Sequence, residues 1–130
     1  QRLVRLSMLS CAVLAAGIGF LGARSYPLAI VLVLVYGLLI WLDSSSLTAG
    51  AAGSAAPPRR GATLAVHSMA GYAGGFVGPV VIGSILDLGG GMSPLSWGLA
   101  FLHIAVIGLI GRFAFVTLAP RDLVGDRAGR

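Results

Sequence analysis

The chain has no lysine and no glutamate. Nine arginines and four aspartates carry its charge, and charged residues are only 10% of 130, against about 25% in an ordinary soluble domain. So little polar surface excludes a soluble fold of this size, and a soluble enzyme with it. Disorder is excluded from the other side, because disordered chains are poor in apolar residues and this one is 57% hydrophobic with a mean hydropathy of +0.95. The single cysteine, Cys11, allows no internal disulfide and completes no zinc set. No His, Asp and Cys cluster has ligand or triad spacing, so neither a metal, a cofactor nor an enzyme activity is expected. The net charge of +5 does not point to nucleic acid, since the arginines form no patch with interleaved aromatics. Most of them sit where apolar runs end, as an anionic bilayer surface selects.

What is present is apolar sequence in four long runs. A helix needs about 20 such residues to cross roughly 30 Å of hydrocarbon. The expected fold is all-α and integral to the membrane, with spans at about 6–23, 28–49, 61–88 and 97–118 inside a segment 1–119, and a cytoplasmic tail at 120–130. The first run has the basic start of a signal peptide, but three more apolar segments follow it. The second run, Leu28 to Leu42, covers only about 22 Å as helix and completes a crossing by continuing through Asp43, Ser44, Ser45 and Ser46. That places Asp43 inside the membrane. The four-residue link from Arg24 to Pro27 makes the first two helices antiparallel neighbours. Pro57-Pro58 predicts a non-helical linker over Ala51–Arg60, and Gly89-Gly90-Gly91 ends the third run. Arg2, Arg5, Arg59, Arg60, Arg121, Arg127 and Arg130 fall on one side of an up-down path and Arg24 alone on the other. By the positive-inside rule both termini are cytoplasmic, in a multi-pass protein of the plasma (inner) membrane.

Gly17-x-Gly19-x-x-Gly22 matches a dinucleotide fingerprint, but Pro27 interrupts the helix that the motif should open; within a span these are packing residues. The third run is denser. Gly71, Gly74, Gly75, Gly78 and Gly83 make a small-residue face against which a neighbouring backbone can press, and Pro79 should kink the helix. Tight packing and a helix that bends in a conformational cycle both fit.

Ionisable residues inside spans are functional candidates, because burying their charge in lipid is costly. Counting along the helices places Asp43 roughly 8 Å, His67 about 9 Å and Arg112 a similar distance from the inner boundary. All three are therefore expected at one level. Asp43 is the leading candidate for substrate charge or a coupling proton, with His67 as its partner and Arg112 as the structural alternative. Tyr36 lies two turns earlier on the same face, and Ser46 belongs to the polar stretch Ser44–Thr48. That stretch fits either a water-filled cavity wall or hydroxyls bonding their own backbone near a frayed end. His103, among apolar neighbours, is expected to make one interhelical hydrogen bond.

The residues Pro57-Pro58-Arg59-Arg60-Gly61-Ala62, Ser68-Met69-Ala70-Gly71 and Gly74-Gly75-x2-Gly78-Pro79 through Leu86-Asp87 resemble the penultimate helix of the major facilitator superfamily. Asp43-Ser44 with its small-residue loop is similar to the preceding helix in many bacterial members. The resemblance covers nearly the whole chain as the last four of twelve helices, and implies a C-terminal fragment of a secondary transporter working by alternating access. It implies further that the second and third spans border the central cavity, that the first and fourth are peripheral, and that the missing N-terminal helices are partners. Gly74-x3-Gly78-Pro79 is similar to the family's antiporter motif, with one residue more before Gly83 and Ala at 65. The substrate class is left open. The alternative is a self-contained four-helix protein, either a dimeric drug exporter or a structural membrane subunit.

Overall fold

The computed structural model describes residues 1–118; the tail at 120–130, with Arg121, Arg127 and Arg130, lies outside them. The described chain is all-helical: α1 (Arg2–Leu21), α2 (Tyr26–Ser54), α3 (Arg60–Leu88) and α4 (Pro94–Leu118), with 3-10 turns at Gly22–Arg24 and Pro57–Arg59. All four helices are long and apolar enough to cross a membrane. Each boundary has a local cause. Ser25 is extended (φ −160°, ψ 128°) and Pro27 follows in the first turn of α2, where its missing N–H costs nothing. Gly90 and Gly91 adopt φ of 87° and 90°, a left-handed backbone that a side chain would strain. Ser93 Oγ accepts the Ser96 N–H at 3.1 Å and so caps α4 at the position where serine is favoured. The Ser96 hydroxyl donates to the Gly89 carbonyl at 2.8 Å, which closes the turn.

The break between α2 and α3 is shorter than expected. Helix α2 continues through Ala51, Ala52, Gly53 and Ser54, and only Ala55 and Ala56 are extended. Proline constrains itself and the residue before it, so Pro57 cannot disrupt a helix six residues upstream. At 29 residues, α2 is about 43 Å long, well beyond the hydrocarbon core. Helix α3 runs continuously through Pro79.

Packing centres on α1. From Gly19 back to Arg5, its contacts on α4 advance from Gly98 and Phe101 through Gly108 and Gly111 to Arg112, so the two helices are antiparallel. Ala12 and Ala15 on α1 and Ala105 on α4 form the buried core, with Ala16, Tyr36, Phe101 and Ile104 against it. The spacings Ala12-x3-Ala16 and Ala15-x3-Gly19 bring these backbones close. A Cβ on Gly19 would lie 2.8 Å from the Phe101 Cβ and 3.1 Å from the Gly98 carbonyl. Thus Gly19 packs as expected, whereas a Cβ on Gly17 would meet nothing within 4 Å.

Helix α3 is different. It buries no residue, and neither does α2. A Cβ on Gly71, Gly74, Gly75, Gly78 or Gly83 would meet nothing within 4 Å. The glycine face expected to pack is open within the described residues.

Candidate functional site

Asp43 lies at the α1–α2 seam, where the Ser7 hydroxyl donates to its Oδ1 at 3.1 Å. Ser7 is itself buried, and its one hydroxyl hydrogen is shared between Asp43 and the Val4 carbonyl, each at 3.1 Å. The pairing follows from the hairpin: Ser7 and Asp43 each lie eighteen residues from Ser25 at the turn, so antiparallel helices bring them level. Cys11, half-buried, lies one turn along α1 from Ser7. Tyr36 packs against the buried alanine core. Ser7 and Asp43 therefore form a polar contact in the seam between α1 and α2, with Cys11 one turn from Ser7 and Tyr36 two turns from Asp43 along their helices.

His67 is elsewhere. Its Nε2 lies 3.1 Å from the Thr48 hydroxyl, a contact that joins α2 to α3. Thr48 and His67 are equidistant from the Pro57-Pro58 step, and this sets their register. The expected pairing of Asp43 with His67 is not made. Because α2 extends to Ser54, the turn lies deeper, and Asp43 sits five residues, about 7 Å, up the helix from the His67 level.

Arg112 does share the level of Asp43, but on the opposite side of α1. Its Nε donates to the Arg5 carbonyl at 3.2 Å, two residues from the serine that holds Asp43. Arg112 is thus tied to backbone and not to the carboxylate. The hydroxyls of the serine stretch bond their own backbone: Ser45 and Ser46 both donate to the Leu42 carbonyl, at 3.1 and 2.8 Å, and Thr48 donates to that of Ser44 at 2.9 Å. Ser46 is part-exposed beside Asp43. The expectation for His103 fails: its Nδ1 is buried with no hydrogen-bond partner among the described residues.

Sequence reasoning passed over Ser7 and Cys11. The signal was there in their i, i+4 spacing on one face of α1 and in the symmetry about Ser25. An apolar cavity of about 230 Å³ opens at the other end of the seam, lined by residues that include Ile18, Gly22, Ala29, Trp97 and Phe101. None of these carries a charge, and the Trp97 indole is the one side chain among them with a hydrogen-bonding group. Among the described residues no three His, Cys, Asp or Glu side chains could hold a metal ion.

Comparison of the chain with family models, with curated proteins and with solved structures finds no match among any of them.

Proposed function

We propose that the chain is the last four-helix part of a secondary transporter of major-facilitator type, moving a small solute by alternating access. One observation carries the reading. Helices α2 and α3 bury no residue, and the side-chain bond between them is the exposed, polar Thr48–His67 contact. In a bilayer an open glycine face calls for another helix, and an exposed polar contact between two spans calls for water or solute. The two helices that the resemblance assigns to the central cavity are the two with those needs. Asp43, Tyr36 and Ser46 on α2 and His67 on α3 are the pathway residues in this reading, while Gly71, Gly74, Gly75, Gly78, Pro79 and Gly83 receive the missing helices. Arg112, held on α1, is structural. The membrane is the plasma (inner) membrane, with the Pro-Pro-Arg-Arg turn cytoplasmic.

The test is transport by the full-length protein in vesicles loaded with a pH-sensitive dye, using sugars, amino acids, organic acids and hydrophobic cations in turn. Solute-dependent proton or solute movement that disappears in His67→Gln and Asp43→Asn supports the reading. A protein that moves none of these classes and cross-links to itself through Cys substituted at Gly74 would fit the self-contained dimer instead.

Two further outcomes are expected. Single cysteines at Ser25 and Ser93, in a Cys11-free background, should react with an impermeant reagent from outside, and one at Ser54 only after permeabilisation. Labelling of Ser54 in intact cells would invert the topology. Gly74→Leu should leave the melting of this four-helix segment unchanged, because the site is open, yet abolish transport by the full-length protein by blocking a neighbouring helix. Normal transport in that variant would remove the packing role of the face.

A further inference from the structure

The seam between α1 and α4 ends in two arginines. Arg112 is part-buried and six residues inside the end of α4, and its Nε donates to the carbonyl oxygen of Arg5 at 3.2 Å. That oxygen has a second lone pair beyond the one used by its helix, so the contact costs α1 nothing. Arg5 donates through Nη2 to the Gln1 side-chain oxygen at 2.7 Å, while its Nε is shielded from solvent without a partner. Both guanidiniums are therefore met by neutral oxygens alone. Among the described residues no carboxylate reaches either of them: Asp43 is held by Ser7 on the other side of α1.

The two arginines thus meet at one end of the seam through backbone, and a cation left without a counter-charge at the edge of a low-dielectric medium is costly. The arrangement is stable when an anion completes it. The guanidinium is planar and forked, and its donors match phosphate oxygens in pairs. Within one turn of the arginines along α1 and α4 stand exposed apolar side chains, Leu6 at 52%, Leu9 at 38%, Leu109 at 45% and Phe113 at 70% exposure. A free phosphate has no use for that surface, whereas a phospholipid does. We infer that Arg5 and Arg112 form a binding site for the phosphate of an anionic phospholipid at the predicted cytoplasmic end of the α1–α4 seam. The inference rests on the membrane-spanning reading and is independent of transport.

The experiment is thermal unfolding of the purified protein in detergent, with dioleoyl phosphatidylglycerol, dioleoyl phosphatidylcholine or inorganic phosphate added separately. Phosphatidylglycerol should raise the melting temperature by several degrees, as a ligand of the folded state does, and phosphatidylcholine should not. Arg5→Gln and Arg112→Gln should each lose most of the rise, and Arg24→Gln, at the opposite end, should keep it. Where Arg112→Gln fails to fold, Arg112→Lys retains the charge without the fork and should show a reduced rise, and Arg5→Gln preserves the carbonyl that Arg112 needs. An undiminished rise in both arginine variants overturns the site. An equal rise with inorganic phosphate, lost in the same variants, overturns the lipid as its source.

Discussion

Gly19→Ala is expected to lower the stability of the bundle more than alanine at any glycine of α3. The added Cβ would stand 2.8 Å from the Phe101 Cβ, 3.1 Å from the Gly98 carbonyl oxygen and 3.2 Å from the Gly98 Cα. Two of these neighbours are backbone and the third is fixed to it, so relief requires moving α1 away from α4. Overpacking of this kind costs about 1–3 kcal/mol, and Gly19→Leu more, because three further carbons enter the same gap. Gly98→Ala should be milder. Its Cβ would meet the Phe20 ring at 2.9 Å, and that ring is 50% exposed and can swing into lipid. Melting in detergent should therefore rank Gly19→Ala below Gly98→Ala, with Gly74→Ala and Gly78→Ala close to wild type. A Gly74→Ala protein that melts below Gly19→Ala would contradict the packing described for α1.

The second large effect concerns Asp43. A carboxylate within a span costs about 2.5–3.5 kcal/mol on insertion scales unless protein or water receives it. The Ser7 hydroxyl receives one oxygen. Asp43→Asn keeps the shape and the bond to Ser7 while removing the charge, so the bundle should fold and melt normally. On the transporter reading proposed above, solute-coupled proton movement by the full-length protein should fall about a hundredfold or more, the low end of what a positioned proton-transfer group contributes. Ser7→Ala supplies the converse: the charge stays and its donor goes, at a cost of about 1 kcal/mol, the low end for an acceptor that is only part-buried. Unchanged coupling in Asp43→Asn would make the carboxylate a solvated residue of the seam. Unchanged stability in Ser7→Ala would show that water already serves Asp43 there.

Much of the fold was legible because a bilayer imposes simple demands. Backbone groups must be satisfied within each segment, so an apolar run of sufficient length can only be a helix, and four such runs gave four helices. Proline and glycine marked the turns, since Pro27, Pro57-Pro58 and Gly90-Gly91 act through local backbone sterics that no tertiary contact overrides. The levels of Asp43 and Arg112 also followed from counting residues. The place of His67 did not. Its depth depended on where α2 ends, and alanine, glycine and serine at 51–54 are compatible with helix or loop until their surroundings decide.

Only the tertiary structure chose which faces meet. The glycines of α3 and the alanines and glycines of α1 and α4 are equally suited to close packing, and periodicity within one helix does not name its partner. In the folded chain α1 lies between α2 and α4, so Ala12, Ala15 and Gly19 are buried while Gly71, Gly74 and Gly78 remain open. That choice gave Asp43 to Ser7 and Arg112 to the Arg5 carbonyl, and left His67 to Thr48. Composition determined that the chain belongs in lipid, because its few charges cannot cover a soluble core. The partners of those charges were decided by interhelical register, which arises from side-chain packing between segments far apart in sequence.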